Sequence, residues 1–204
     1  MFLSSCEAMR RLFANLVLKL IGWRAEGEAP AHKKCVLVAA PHTSNWDFVL
    51  LLLFSYHFGF KMRWMGKKSL FRGPLGWLLL RLGGVSIDRK SKNNVVQQMA
   101  MAFEQSTSLC LVIPPEGTRG LASYWKSGFY HIAREASVPI VLSVLDYEQK
   151  VGCIGPAVWP SGDIRADMDI IRPFYTGSSG RFKGAFGPVR LRDEDEVRAS
   201  HSAA

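Results

Sequence analysis

The sequence predicts an α/β fold, with a mainly parallel central sheet flanked by helices and an amphipathic helix at the N-terminus. Two observations carry the class. Residues 35–40 (CVLVAA), 109–113 (LCLVI) and 140–145 (IVLSVL) are short, continuous apolar runs, which suit strands buried on both faces. Helical patterns over roughly 45–58, 69–82, 93–106 and 127–137 alternate with them. A third observation bounds the size: 204 residues, 48% hydrophobic and 21% charged, make one sizeable packed domain and are short for two.

From the N-terminus, residues 8–24 read AMRRLFANLVLKLIGWR. Met9, Leu12, Phe13, Leu16, Leu20 and Trp23 recur at helical spacing, while Arg10, Arg11, Lys19 and Arg24 add positive charge with no acid between them. That pattern fits a helix lying in a membrane interface, and it also fits a helix packed on a core. AEGEAPAHKK, 25–34, reads as a linker, because it lacks periodicity and carries Gly and Pro. The run 35–40 is then the first strand, and 62–65 and 85–88 are weaker strand candidates. The helix at 45–58 contains FVLLLLF with no polar face, so it is deeply buried or dipped in lipid. SLFRGPLGWLLLRLGG, 69–84, mixes bulky apolar groups with Arg72 and Arg81 and suits a core helix, a membrane face or an acyl-chain groove. A last helix covers about 164–175. The division expected is 1–34 for the N-terminal helix and linker, 35–190 for the main domain and 191–204 for a polar tail that frays.

No apolar run reaches the ~20 residues that span a bilayer. The N-terminus does not read as a signal peptide, since Asn15 and Lys19 interrupt its apolar stretch. The four cysteines form no Cys-x-x-Cys pair and read as free thiols, and the five histidines show no zinc spacing, so no metal site is expected. The net charge of +9 favours an anionic partner. The basic residues are scattered among apolar stretches without a nucleic-acid-binding motif, so no nucleic acid is expected.

Three motifs follow predicted strands. In PHTSNWDF, 41–48, Ser44 and Asp47 form a capping-box pattern. That pattern leaves His42 unexplained. A carboxylate in the first helical turn can hydrogen-bond one ring nitrogen of His42 and free the other to take a proton from a hydroxyl. PPEGTRG, 114–120, stops its strand with two prolines. Gly117 permits a turn whose amides can face an anion, and Thr118 and Arg119 suit phosphate. A surface turn with a solvated Glu–Arg pair reads equally well. IDRK, 87–90, is the third motif, and a solvated charge run is its usual meaning. With parallel strands all three motifs share the carboxyl edge of one sheet, where ligands of open α/β sheets bind. His42, Asp47, Arg89, Glu116 and Arg119 then converge on one crevice.

Absences narrow the chemistry. There is no Gly-x-Ser-x-Gly elbow, no Gly-x-Gly-x-x-Gly after the first strand, and GKKS at 66–69 lacks the upstream glycine of a P-loop. A base–carboxylate pair without a nucleophile suits activation of an acceptor hydroxyl towards an already activated acyl group, such as a thioester.

The chain resembles the glycerophospholipid acyltransferases, of the 1-acylglycerol-3-phosphate acyltransferase type. His42-Thr43-Ser44-Asn45-Trp46-Asp47 resembles the family's His-x4-Asp block, and Lys68 through Arg89 its second block. Pro115-Glu116-Gly117-Thr118-Arg119 resembles the third and Val138-Pro139-Ile140 the fourth. Pro41 before the histidine and Pro114 before PEGTR depart from it and bear on the acceptor. The resemblance implies an acyltransferase domain over 35–190 and transfer from acyl-CoA or acyl carrier protein, as co-substrate without another cofactor, to a lipid hydroxyl. Lysophosphatidate is the acceptor it suggests first; another lipid acceptor, or a non-catalytic lipid-binding protein of the same fold, are the alternatives. It implies His42 as general base and Asp47 as its orienting carboxylate. Glu116, Gly117, Thr118 and Arg119 would bind the acceptor's phosphate or glycerol, with Arg89 assisting. Val138-Pro139-Ile140 would be structural or part of an acyl-binding surface. It also implies an anionic membrane surface as partner, with the protein peripheral or monotopic on the cytoplasmic face.

Overall fold

The computed structural model describes residues 5–87 and 92–195. Its elements in chain order are α1 (Ser5–Leu20), β1 (Arg24–Gly27), β2 (Lys34–Ala40), α2 (Trp46–Phe58), β3 (Met62–Lys67), α3 (Gly73–Arg81), β4 (Gly84–Ile87), α4 (Lys92–Gln105), β5 (Leu109–Ile113), α5 (Gly128–Glu135), β6 (Ile140–Asp146), β7 (Val151–Val158) and α6 (Ile164–Ile171). Short 3-10 turns at Lys68–Phe71 and Arg172–Tyr175 lead into α3 and out of α6.

One sheet holds the strands in the order β1-β7-β6-β2-β5-β3-β4. β6 and β7 pair antiparallel, while the other pairings are parallel. β2 is central, with Val36 opposite both Leu111 of β5 and Ile140 of β6. Three adjacent strands thus run the same way, and their carboxyl ends lie side by side. This is the arrangement expected of the apolar runs, which are buried almost throughout.

Both faces of the sheet are covered. Val36, Val38, Leu111, Ile140 and Leu142 pack with Phe103 of α4, Phe129 and Ile132 of α5, and Met168 and Ile171 of α6. On the opposite face Cys35, Leu37, Met62, Val112 and Val141 meet Phe48, Leu51 and Leu52 of α2. The other side of α2 gives Leu50, Leu53 and Phe54 to Ala14 and Leu18 of α1 and to Trp23. α2 lacks a polar face because it is sandwiched between the sheet and α1.

The outer helices differ from ordinary core helices. α1 buries only Ala14 and Leu18, while Met9, Leu12, Phe13, Leu16 and Leu20 are each more than half exposed. The predicted apolar stripe therefore faces outward, and Trp23, just beyond the helix, is the member that turns in. α3 buries only Gly76 and exposes Leu75, Trp77, Leu78 and Leu80. Among the described residues no helix is long and apolar enough to cross a membrane.

Three segments depart from the sequence reading. The stretch 25–34, read as a linker, lies partly in β1, whose Arg24–Gly27 pair with Val151–Ile154 at the sheet edge. Four residues with one apolar side chain give no strand signal, and register alone makes the strand. β7 is absent from the sequence reading, and its Gly152, Gly155 and Pro156 interrupt a strand pattern. A Cβ at Gly152 would lie 2.2 Å from the Phe54 ring, and one at Gly155 2.2 Å from the Phe174 ring, so these glycines admit packed aromatics. The tail read as fraying from 191 starts packed: Leu191 is fully buried and bridges to Trp125, Arg172 pairs with Glu194, and Arg190 with Asp195. Residues 196–204 lie outside the described residues.

Candidate active site

β2 ends at Ala40 and the chain turns at once into α2. The turn places Asp47 back under its own start. Asp47 Oδ2 accepts the backbone N–H groups of Thr43, at 2.8 Å, and Ser44, at 2.9 Å. This is the carboxylate half of the expected capping box. The serine half differs: Ser44 Oγ accepts from the N–H of Trp46, at 3.2 Å, rather than from that of Asp47. The same Oδ2 lies 3.1 Å from Nδ1 of His42. The cap and the histidine–carboxylate pair are one structure, built on a carboxylate that is only 1% exposed.

Asp47 Oδ1 accepts the hydroxyl of Tyr147, at 2.6 Å. Burial pushes the Asp47 carboxyl upward, but hydrogen bonds from His42, Tyr147 and the Ser44 backbone outweigh it and hold the carboxyl below its ordinary value. The Tyr147 hydroxyl is raised, by burial first and then by its bond to this carboxylate. An ionised Asp47 fixes Nδ1 of His42 as the protonated ring nitrogen. Nε2 is then a lone-pair acceptor, and among the described residues it has no partner. His42 itself is partly buried.

The second predicted motif arrives from β5, beside β2. Glu116 is buried, and its Oε1 accepts the backbone N–H of His42 at 2.8 Å. Burial raises its carboxyl above the usual range, and Asp47 adds to the rise against the opposing backbone hydrogen bonds. Its Oε2 is buried without a partner among the described residues. Glu116 thus points inward and braces His42. Gly117, Thr118 and Arg119 are exposed. Gly117 has φ +67, a conformation that leaves its flank open to the Lys126 side chain. The Arg119 guanidinium donates to Asn45 Oδ1, which joins this loop to the start of α2.

The structure therefore brings His42, Asp47, Glu116, Gly117, Thr118 and Arg119 to one edge of the sheet. Arg89 lies outside the described residues. Val138-Pro139-Ile140 stands at the amino end of β6, with Val138 and Ile140 in the core and the Pro139 carbonyl accepting the N–H of Val36. Its place is structural.

Sequence reasoning missed several neighbours. Tyr147 follows β6, and only the strand order brings it to Asp47. Lys126 approaches the PEGTR turn, and its N–H donates to the Pro115 carbonyl at 2.7 Å. The segment 178–182 closes over the His42 loop: Ser179 O accepts the N–H of Tyr147, and a Cβ at Gly180 would lie 2.6 Å from Thr43 Cγ2. Ser143 Oγ and the Tyr175 hydroxyl both donate to the Val38 carbonyl, each at 3.0 Å, and so fix β2 near its end.

Comparison with known proteins identifies the family. The acyltransferase family model matches residues 23–145. A 1-acyl-sn-glycerol-3-phosphate acyltransferase of Haemophilus influenzae is 31% identical over 152 residues, covering 68% of this chain and 60% of that protein. One from Saccharomyces cerevisiae is 28% identical over 141 residues, covering 64% of this chain and 46% of its own. The chain thus spans 60% or less of the length of these relatives. The crystal structure of the 1-acyl-sn-glycerophosphate acyltransferase PlsC of Thermotoga maritima superimposes with a TM-score of 0.53 at 15% identity, over 82% of this chain and 77% of that one, and shares the fold.

Proposed function

Since the chain belongs to the acyltransferase family, we propose that it moves a fatty acyl group from acyl-CoA or acyl carrier protein to the free hydroxyl of a lysolipid, with lysophosphatidate as acceptor. The observation that carries this is the His42–Asp47 pair, 3.1 Å apart, standing where three parallel strands end together. The relatives named 1-acyl-sn-glycerol-3-phosphate acyltransferase support the choice of acceptor.

His42 Nε2 takes the proton of the acceptor hydroxyl as its oxygen attacks the thioester carbonyl carbon. Asp47 keeps the tautomer and stabilises the imidazolium. The tetrahedral intermediate collapses, the carbon–sulfur bond breaks, and the departing thiolate takes the proton back from His42. The products are an ester and a free thiol. Glu116 and Tyr147 serve as positioning residues, one on the backbone of His42 and the other on Asp47. Gly117, Thr118, Arg119 and Lys126 supply amide, hydroxyl and cationic groups for the acceptor's phosphate. Arg89 has a part in binding the same group.

The outward apolar faces of α1 and α3, with the net charge of +9, support docking on an anionic membrane, peripheral or monotopic and on the cytoplasmic face. The test is acyl transfer from labelled acyl-CoA and acyl carrier protein to a panel of lysolipids in mixed vesicles. Lysophosphatidate should be acylated ahead of lysolipids that lack a phosphate monoester. Preference for another lysolipid overturns the acceptor, and transfer to none overturns the activity.

A further inference from the structure

A cavity of about 260 Å³ opens at the amino edge of the sheet, at the opposite end from His42. The first turns of α1, the C-terminal end of α2, the start of β3 and the end of α3 enclose it. Arg10, Arg11, Lys61, Arg63 and Arg81 line it, against a single carboxylate from Glu7. Among the described residues only Lys61 of these five has a carboxylate within ion-pair range, Glu7 at 3.8 Å. Leu52, Tyr56, Phe60 and Leu82 make its walls.

Five cations in one small cavity, from α1, β3, α3 and the turn before β3, repel one another, and nothing in the proposed reaction at the other edge uses them. Aromatic faces hold two of them in place: Arg10 lies 5.7 Å from the Tyr56 ring centre and Arg81 4.1 Å from that of Trp77. His57, beside the cavity on α2, is held below its ordinary pKa by burial and then by the Arg11 charge.

The surroundings select the kind of anion. α1 packs on α2, and Phe71 at the entry to α3 lies tilted against Trp64, which meets Phe48 of α2. Both outer helices therefore lie on the same face of the sheet. Exposed apolar side chains accompany the cations on both: Leu12 and Phe13 follow Arg10 and Arg11 on α1, and Trp77 lies beneath Arg81 on α3. Lipid-facing groups around a cluster of guanidinium groups match an anionic amphiphile: phosphate among the arginines and chains beside the helices. We propose that this cavity binds the phosphate headgroup of an anionic phospholipid of the docked membrane, at a site separate from the active site. The proposal rests on the membrane reading above but on no part of the catalytic assignment.

The experiment measures full-length protein bound to vesicles of phosphatidylcholine alone and of phosphatidylcholine mixed with phosphatidylglycerol. It compares the wild type with Arg63→Gln/Arg81→Gln. The control Lys19→Gln/Arg24→Gln removes the same charge at the far end of α1 and at the start of β1 beyond it. Each variant's Tm is checked, and Gln keeps most of the side-chain stem. The cavity variant should lose about tenfold more affinity for the anionic vesicles than the control, as expected when charge-assisted phosphate contacts are removed. It should bind phosphatidylcholine vesicles as the wild type does. Equal losses in the two variants would leave only a diffuse surface charge and overturn the cavity while sparing the membrane reading. Binding of the wild type to neither vesicle would overturn both. Inorganic phosphate that binds the wild type and not the cavity variant, without displacing the wild type from anionic vesicles, would assign the site to free phosphate and overturn the lipid.

Discussion

Replacing Tyr147 by Phe removes one oxygen and keeps the ring, which packs edge-on against Trp23 with centroids 5.0 Å apart. The lost oxygen donates to Asp47 Oδ1 at 2.6 Å, and Asp47 is 1% exposed. Breaking a hydrogen bond to a buried charge costs roughly 1.5–3 kcal/mol. Tyr147 is itself partly exposed, so water can reach the vacated place, and the loss falls at about 1.5–2 kcal/mol. For a chain of this size that is a drop in Tm of about 3–8 °C. The pH dependence identifies the cause. The folded pKa of Asp47 lies below its ordinary value, so its contribution is present above the unfolded pKa and lost as pH falls through the folded one. Tyr147→Phe lessens that depression. The gap in Tm between wild type and variant is therefore full at neutral pH and closes on acidification through and below the carboxylate range. Thermal unfolding over a pH series measures it. A gap that stays constant into acid refutes the Asp47 assignment, and no gap at neutral pH refutes the hydrogen bond's worth.

Arg119→Ala should raise the KM for a phosphorylated acceptor by roughly tenfold or more with little change in kcat, since a charge-assisted phosphate contact carries 1.4 kcal/mol or above (about tenfold); steady-state kinetics with phosphorylated and phosphate-free lysolipids decides. Gly180→Ala drives a methyl group to within 2.6 Å of Thr43 Cγ2, so the segment over the His42 loop must shift. Transfer should fall by more than Tm does, and kinetics beside thermal unfolding compares the two. Gly27→Ala meets the Ile154 carbonyl oxygen at 2.0 Å with φ +82, and should lower Tm by detaching β1 while leaving transfer per folded molecule unchanged.

Much of this arrangement is legible before any coordinates. Continuous apolar runs fall on β2, β5 and β6, because strands covered on both faces have no polar side to show. The spacing of His42 and Asp47 is local to one strand-to-helix turn, so the pair and half of its cap can be read directly. β1 and β7 are not legible. The first is four residues held by register at the edge, and the second carries glycines whose reason is the rings of Phe54 and Phe174. Glu116 is visible as part of a motif, but its inward direction depends on β5 lying beside β2. Tyr147 has no local signal, since it meets Asp47 only because β6 is the other neighbour. Periodicity identifies the stripe on α1, and the structure shows that Ala14 and Leu18, which lie outside that stripe, face the core.

The central claim is that His42 is the general base of an acyl transfer. The most direct test runs purified wild type and His42→Ala side by side, with labelled acyl donor and lysophosphatidate in mixed vesicles, and follows both ester and free thiol. Circular dichroism and Tm confirm that the variant is folded. The account predicts stoichiometric ester and thiol from the wild type and loss of both in a folded His42→Ala. Transfer by His42→Ala at the wild-type rate contradicts it.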